Sequence, residues 1–390
     1  MTRSETSKAP DHETAVLERY ASAAESPEQA LCCPTSYDPS LLRVLPDEIV
    51  AKDYGCGDPS RFVREGEVVV DLGSGAGKIC YILSQKVGPA GRVIGVDMND
   101  RMLALARKYR EEMARRIGHS NVAFVKARIQ DMALDLEKLD AWLDAHPVRS
   151  VEDLAALDRE RDRLRAEEPA VPGGTADVVV SNCVLNLVRP SDKEILFAEM
   201  FRVLRNGGRA VISDIVCDEE PTERIRNDPD LWSGCIAGAF REDEFPRAFE
   251  RAGFHGVEIL SRAEVPWRVV DGIEFRSVTI RAFKGKQGPC LERNQAVVYR
   301  GPFSAVRDDD GHEFRRGERA AVCDKTFRLL TDEAGPYAGL FLPVPPRVEI
   351  PLEDARPFAC RKGGVRDPRE TKGAGYRESS EFLCGESGCC

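Results

Sequence analysis

A strand, a glycine-rich loop and a helix follow one another in the segment VVVDLGSGAGKICYILSQ, and this order constrains the fold most strongly. The β-branched run before the loop predicts a buried strand, and the residues after the loop are typical of a helix. Gly73, Gly75 and Gly77 let backbone amides approach a ligand because no Cβ stands in the way. The start of the following helix favours a negatively charged group. The segment therefore predicts an α/β fold with a ligand site at this loop.

Further strands and helices alternate along the chain. Short β-branched segments predict four more strands, namely RVIGVD (92–97), VAFV (122–125), ADVVVSN (176–182) and RAVISDIV (209–216). Between them, residues 102–117 and 191–204 have helical spacing of apolar residues. Ser191 with Glu194 predicts a capping box, and Asn206-Gly207-Gly208 predicts the helix stop. This alternation predicts a parallel, doubly wound sheet.

Residues 133–172 interrupt the alternation with charged segments that predict one or two surface helices. They form either a partner-binding insertion or a solvated excursion from the sheet. EFRSVTIRAF (274–283) reads as a final strand. The residues after it are rich in turn formers and predict a smaller α+β unit.

Composition narrows the class of partner. The formal net charge is −10 and the pI is near 5.3, which argues against a protein built to hold nucleic acid. We find no apolar run that could span a bilayer, and the N-terminus lacks the apolar core of a secretory signal. We therefore expect a cytoplasmic protein without a membrane partner. The 13 cysteines are then expected to be reduced.

Asp97 indicates which kind of ligand the glycine loop holds. It ends the second predicted strand, 20 positions after Gly77, where an acid accepts hydrogen bonds from ribose hydroxyls. The loop reads GSGAGK, so it lacks the third glycine of the dinucleotide fingerprint. No GxxxxGK[ST] motif is present either. A nucleotide-like ligand other than a dinucleotide or a P-loop nucleotide is therefore expected.

The pattern xDxGxGxG, the acid-ended second strand and LRNGGRAVISD together resemble class I S-adenosylmethionine-dependent methyltransferases over residues 60–260. The resemblance implies that the loop meets the methionine carboxylate and that Asp97 holds the ribose. Tyr54 would pack near the sulfonium, or it is a packing aromatic. Met98 would lie on the adenine, or it is core. The implied cofactor residues are Tyr54, Asp71, Gly73, Ser74, Gly75, Gly77, Asp97, Met98, Ile129, Gln130 and Asn182.

Four cysteines fall on segments that should converge at the carboxyl ends of the strands. Cys56 lies in DYGCGDP, Cys80 one turn into the first helix, Cys183 in SNCVLNL and Cys235 in LWSGCIAGA. Each alone could be a small buried hydrophobe. A structural zinc site is disfavoured because CxxC and suitable His spacings are absent. A site made only of thiols suits a soft, thiophilic ion.

The motifs YGCG, GKICYIL, SNCVLNL and LWSGCIAGA, with EFRSVTIRAFK, resemble arsenite S-adenosylmethionine methyltransferases. The resemblance implies that Cys183 and Cys235 hold As(III). Cys80 would supply a third thiolate during the first methylation and could form a disulfide with Cys56. The implied substrates are arsenite, thiol-conjugated As(III) and methylarsenite, with S-adenosylmethionine as donor and glutathione or thioredoxin as reductant.

The resemblance also implies a domain order. We expect an N-terminal arm (1–45), an S-adenosylmethionine-binding domain (46–216), an arsenic-binding middle domain (217–285) and a C-terminal domain with a cysteine-containing tail (286–390). The terminal cysteines either capture arsenite or pass electrons, or they are exposed spectators: Cys32, Cys33, Cys384, Cys389 and Cys390. The remaining cysteines are interpreted as structural: Cys217, Cys290, Cys323 and Cys360.

Two alternatives stay open. One is a methyltransferase acting on an organic quinone, sterol or amine, which would need a general base or an apolar pocket. The other is a thiol-rich protein that sequesters or senses a metalloid without turnover.

Overall fold

The computed structural model describes residues 12–28, 37–52, 54–360, 364–373 and 376. The chain divides into two compact units, with the boundary between Gly285 and Lys286. The predictions for the terminal cysteines lie outside the described residues: Cys32, Cys33, Cys384, Cys389 and Cys390. Within the described ranges, no helix has the length and apolar character needed to cross a membrane.

The first unit contains nine strands and twelve α-helices among its described residues. The strands are β1 Val68–Leu72, β2 Arg92–Asp97, β3 Val122–Lys126, β4 Ala176–Asn182, β5 Leu204–Cys217, β6 Phe240–Arg241, β7 His255–Arg262, β8 Arg268–Val270 and β9 Ile273–Phe283. The helices are α1 His12–Glu25, α2 Pro39–Leu42, α3 Asp47–Ala51, α4 Lys78–Val87, α5 Asp100–Lys108, α6 Arg110–Ile117, α7 Leu136–Ala145, α8 Val151–Glu167, α9 Lys193–Val203, α10 Glu223–Arg226, α11 Pro229–Ser233 and α12 Glu244–Arg251.

The strands of this unit form one sheet in the order β3-β2-β1-β4-β5-β9-β7, with β6 and β8 at its periphery. The first five strands run parallel, and β9 lies antiparallel to β5. Val70 and Leu72 pack into the core on one face of the sheet, whereas Val69 packs into the core on the other. Both faces of β1 are therefore buried, as expected of a parallel strand covered by helices. The predicted doubly wound fold is confirmed.

Local details differ from the sequence prediction around α9. The capping box of Ser191 and Glu194 is wrong, because Asp192 is the N-cap and gives no side-chain cap. A short 3₁₀ turn at Pro190–Asp192 precedes the helix, and the Ser191 hydroxyl donates to Asp192 Oδ1 instead (2.9 Å). The helix ends at Val203, before the predicted glycine stop, because the chain passes directly into β5.

The helix predicted over residues 102–117 is two helices, α5 and α6, which meet at Tyr109. The backbone there leaves helical geometry (φ −95°, ψ 0°). The Tyr109 hydroxyl donates to Glu48, so a tertiary contact holds the break.

The surface excursion 133–172 contains α7 and α8, in agreement with the predicted helices. Arg165 pairs with Asp131 (2.9 Å), which ties α8 to the loop after β3. The N-terminal segment differs from the expected arm, since α1 is a regular helix that packs on α5 and α11. The ranges 46–216 and 217–285 belong to one compact unit, in which β9 extends the central sheet.

The second unit is a small α+β structure. Its elements are β10 Leu291–Glu292, β11 Ala296–Tyr299, β12 Ala305–Arg307, β13 Glu313–Arg315, β14 Arg319–Ala321, α13 Asp324–Thr331, β15 Phe341–Val344, β16 Arg356–Pro357 and α14 Pro368–Lys372. Strand β11 pairs with β14 and β15, while β10 pairs with β16. A separate core built around Val297, Tyr299 and Phe314 holds this unit together.

Candidate active site

The glycine loop turns sharply between β1 and α4. Gly73, Gly75 and Gly77 all have positive φ angles (66°, 51° and 85°), and Gly77 caps α4. A Cβ on Gly73 would lie only 2.5 Å from a methyl carbon of Val184, so a larger residue cannot occupy this turn without displacement. The Ser74 hydroxyl is buried and has no hydrogen-bond partner. The loop thus offers a donor and close backbone approach to a polar ligand.

Asp97 stands opposite this loop at the end of β2. Its Oδ2 accepts a hydrogen bond from Gly75 N (2.8 Å), and its Oδ1 accepts one from Asn99 N (2.8 Å). Burial raises the pKa of Asp97, and the amides of Asn99, Gly75 and Met98 partly offset this effect. The carboxylate is therefore held in a fixed position at the edge of the loop.

One pocket joins these groups. It is lined by every predicted cofactor residue except Gly77: Tyr54, Asp71, Gly73, Ser74, Gly75, Asp97, Met98, Ile129, Gln130 and Asn182. Gly77 lies behind the loop as the cap of α4. The unpartnered Ser74 hydroxyl, the glycine cradle and the Asp97 carboxylate fit a ligand that carries a carboxylate and a ribose. These residues therefore fit S-adenosylmethionine.

Helix α1 covers this pocket, which the sequence did not reveal. Val16, Leu17 and Tyr20 line the pocket from α1. The Tyr54 hydroxyl donates to Ala23 O (3.0 Å) and accepts from Glu28 N (3.1 Å), so it fastens the end of α1 at the site. Nothing in the local pattern of residues 12–25 indicated this contact, because it depends on segments distant in sequence.

Three cysteines meet beside the pocket. The sulfurs of Cys56 and Cys183 and a carboxylate oxygen of Asp214 lie within 4.8 Å of one another. The Cys235 thiol donates to Cys183 O (3.1 Å). All three cysteines are buried, and Cys183 also lines the pocket that contains the glycine loop. The loop before β1, the turn after β4 and the segment after α11 thus bring these three cysteines together.

Two of these cysteines have an unusual backbone. Cys183 and Cys235 adopt left-handed φ angles of 63° and 61°. For a residue with a Cβ this conformation costs about 1–2 kcal/mol. The surrounding structure enforces it: Cys183 N donates to Ser213 O (2.8 Å), and Asn186 Nδ2 donates to Cys235 O (3.2 Å). Strain of this kind is concentrated at functional sites.

Cys80 lies elsewhere in this structure. It packs between α4 and the sheet in the core that contains Val69 and Tyr81, and its thiol donates to Asp71 Oδ2 (3.2 Å). Burial, followed by the charge of Asp71, raises the pKa of Cys80 well above its usual value. The structure therefore brings Cys56, Cys183 and Cys235 together but holds Cys80 as a protonated thiol in another cluster.

Comparisons with known proteins decide the family. The model of a methyltransferase domain matches residues 64–168 and 159–253. The arsenite methyltransferase of Aquipseudomonas alcaligenes is 32% identical over 319 residues, covering 77% of this chain and 81% of the relative. This chain belongs to the arsenite methyltransferase family.

Other members agree with this assignment. The human arsenite methyltransferase is 29% identical over 365 residues, covering 90% of this chain and 86% of the relative. The crystal structure of an arsenic(III) S-adenosylmethionine methyltransferase from Chlamydomonas reinhardtii has a TM-score of 0.53 at 27% identity, covering 81% of this chain and 99% of that one. A domain of unknown function matches residues 286–376. The predicted family is confirmed.

Asn182 holds the loop that carries Cys56 in this member of the arsenite methyltransferase family. Its Oδ1 accepts from Cys56 N (2.8 Å) and Gly57 N (3.0 Å), while its Nδ2 donates to Gly57 O (2.8 Å) and Tyr37 Oη (3.1 Å). A Cβ on Gly55 would lie 2.0 Å from the Asn182 amide, so the loop fits closely around it. One side chain on β4 thereby fixes the loop that carries Cys56.

Replacing Asn182 with alanine is expected to lower the free energy of unfolding by about 2 kcal/mol or more, because buried backbone groups lose their partners. The loop should also loosen, so alkylation of native Cys56 should accelerate. Chemical denaturation and peptide mass spectrometry after timed alkylation measure the two effects. The exposed Asn206→Ala serves as control. An unchanged Cys56 alkylation rate in Asn182→Ala would show that Asn182 does not hold this loop in place.

Asp214 and Tyr20 are site residues that the sequence prediction missed. Asp214 is buried on β5, and burial raises its pKa to about 6, although the amides of Ile215 and Leu185 lower it. The Tyr20 hydroxyl lies 3.9 Å from Cys235 Sγ. Burial, and then the nearby sulfurs of Cys235 and Cys183, raise the pKa of Tyr20 well above its usual value. Tyr20 is therefore a neutral phenol beside the thiols. In the sequence, Asp214 stands out only as an acidic residue near the end of a predicted strand.

The Asp214 pKa predicts a pH effect on stability. The folded value lies above the unfolded value of 3.8, so the folded state binds the proton more tightly. Stability should therefore fall as pH rises from 4 to 6, by up to about 3 kcal/mol from this group. Asp214→Asn should remove this part of the slope, as measured by urea unfolding at intervals between pH 4 and 7. Parallel curves for the two proteins would contradict the assignment.

Proposed function

We propose that this chain transfers methyl groups from S-adenosylmethionine to trivalent arsenic held by cysteine thiolates, and so detoxifies arsenic. The observation that carries the proposal is the placement of Cys183. Its side chain lines the pocket of the glycine loop and Asp97, while its sulfur lies beside Cys56. Cys235, in the segment after α11, donates its thiol hydrogen to the Cys183 carbonyl. Thiol ligands and a methyl-donor pocket thus share one wall.

The chemistry of arsenic explains why thiols are needed. Arsenite, free or brought by a small thiol, exchanges its ligands onto protein sulfur, which soft ions prefer. Arsenic bonded to three sulfurs is pyramidal and keeps a lone pair as the nucleophile, so no general base is required. S-adenosylmethionine, when bound, supplies an electrophilic methyl group on a sulfonium. Holding the reacting atoms together contributes up to about 7–11 kcal/mol in favourable cases.

Each protein residue has a distinct part in this proposal. Cys183 and Cys235 hold the arsenic, and the sulfur of Cys56 lies within 4.8 Å of that of Cys183. Asp97 and the glycine loop orient the methyl donor. Helix α1, through Tyr20, covers the site and keeps water out. The strained backbone of the two arsenic-holding cysteines fixes their sulfurs before arsenic arrives, which lowers the ordering cost of binding.

Cys80 is proposed as a third thiolate in the first methylation and as a disulfide partner of Cys56. Both roles require its thiol to leave Asp71. Methylation through the lone pair raises arsenic to the pentavalent state, and two thiols that become a disulfide return it to As(III). An external thiol such as glutathione or thioredoxin then reduces that disulfide. A reducing compartment such as the cytosol suits this cycle.

Methyl transfer from radiolabelled S-adenosylmethionine tests the function. The full chain, with a thiol reductant, is expected to place label on arsenite and to yield methylated arsenicals separable by chromatography. A quinone or sterol acceptor offered under the same conditions should receive none. Label on the organic acceptor alone would favour the organic methyltransferase. Arsenite binding without any labelled product would favour a sequestering protein.

A further inference from the structure

The second unit contains a cluster of three thiols. The sulfurs of Cys290, Cys323 and Cys360 lie within 4.8 Å of one another, and all three cysteines are free. From the sequence alone, these three cysteines are interpreted as structural residues. Their convergence has a clear origin in the fold and does not follow from any local motif.

Two strand pairings and one ion pair bring these cysteines together. Cys290 precedes β10 and Cys360 follows β16, and the antiparallel register of these strands places Cys290 opposite Phe358, two residues before Cys360. Phe358 N donates to Cys290 O (2.8 Å), which closes the end of that ladder. Arg293 then pairs with Asp324 (2.8 Å), the residue after Cys323. The pairing of β11 with β14 brings the segment before Cys323 to the same region of the unit.

Cys323 occupies a position that favours a thiolate. It is fully buried and is the N-cap of α13, where its sulfur accepts from Thr326 N (3.5 Å) and lies 3.2 Å from Thr326 Oγ1. Helix N-termini stabilise thiolates because their amides point at the sulfur. A cysteine that served only to fill the core would not need this contact.

The cluster is accessible to a small ligand. Cys290, Cys323 and Cys360 line a cavity of about 730 Å³ in the second unit, and two of them are only half-buried. Among the described residues, the compact set comprises these three sulfurs and no fourth ligand atom. His312 also lines the cavity, but its Nδ1 is engaged with Asp308 Oδ2 (2.8 Å). Structural zinc takes four ligands, whereas trivalent arsenic takes three sulfurs.

We propose that Cys290, Cys323 and Cys360 form a second As(III) site, separate from the methyl-transfer pocket. Arsenite binds there by forming three As–S bonds and breaking three As–O bonds. Three waters leave, taking the thiol protons, and no electrons are transferred. The choice of arsenic as the ligand rests on the proposed function, while the geometry of three sulfurs stands independently.

Arsenic stoichiometry tests the site in a full-length background variant. In this variant serine replaces Cys32, Cys33, Cys183, Cys235, Cys384, Cys389 and Cys390. After incubation with arsenite and gel filtration, mass spectrometry of arsenic should find about one arsenic per chain. Adding Cys323→Ser should abolish it, whereas adding Cys217→Ser should leave it in place. Arsenic absorption spectroscopy of the background variant should show three sulfur neighbours.

Footprinting of the unaltered protein keeps the test independent of the folding of that variant. Arsenite should protect Cys290, Cys323 and Cys360 from alkylation together, as measured by peptide mass spectrometry. Unchanged alkylation of the three would overturn the inference, as would a Cys290–Cys360 disulfide in the reduced, active protein. Tight retention of Zn²⁺ that excludes arsenite would overturn it too. Failure of methyl transfer by the unaltered protein would instead count against the proposed function.

Discussion

Cys183→Ser is expected to lower the rate of arsenite methylation by about 100-fold or more, a loss comparable to that caused by displacing a reacting group by 1 Å. Serine keeps the shape of the side chain, but its hydroxyl is a poor ligand for a soft ion. The glycine loop and Asp97 remain in place, so the affinity for S-adenosylmethionine should change little. Steady-state methylation and calorimetric titration of the cofactor separate these two effects.

Cys217→Ser is the matched control for this variant. Cys217 is buried in the same hydrophobic cluster as Cys183, but its thiol donates to Phe240 O (3.3 Å), away from the other sulfurs. Its replacement should leave methylation close to the unaltered rate. Cys235→Ser should reproduce the Cys183→Ser loss. Undiminished arsenite methylation in both variants, with the cofactor still bound, would defeat the assignment of these two thiolates.

Asp97→Ala is expected to weaken S-adenosylmethionine binding about 10- to 100-fold, because a hydrogen bond to a charged group contributes about 1.5–3 kcal/mol. The buried carboxylate also holds Gly75 N, so its loss should loosen the loop as well. Arsenite binding at the thiols should persist. Isothermal titration with the cofactor, and arsenic stoichiometry on the same sample, provide the two readouts.

Asp100→Ala supplies the comparison for Asp97→Ala. Asp100 lies three residues further on, is largely exposed and pairs with Lys126 (2.9 Å). Cofactor affinity should be nearly unaffected by its removal. If Asp97→Ala binds S-adenosylmethionine within twofold of the unaltered protein, this carboxylate does not hold the ribose.

Most of the fold could be predicted because its signals are local. The β-branched runs of β1, β2 and β4 mark buried strands, and the glycine loop marks the turn between a strand and a helix. The capping box at Ser191 failed although its spacing was right. A proline-initiated turn at Pro190 supplied another way into the helix. Local patterns identify elements more reliably than they fix their ends.

The site was predicted only in part, because its geometry depends on long-range contacts. The hydrogen bond from Cys56 N to Asn182 Oδ1 joins residues 126 positions apart, and such a contact leaves no periodic signal in the sequence. The same holds for Tyr20 over the thiols. Cys80 was grouped with the other cysteines by its motif, yet the structure buries it against Asp71. Sequence placed the residue on the correct helix but could not give the direction of its thiol.

Anomalous diffraction at the arsenic edge, from crystals of the full chain grown with arsenite and a cofactor analogue, locates the bound arsenic. We expect an anomalous peak bonded to the sulfurs of Cys183 and Cys235, on the wall of the pocket that contains Asp97. A structure with arsenic absent from this cluster, or present only at Cys290, Cys323 and Cys360, would contradict it.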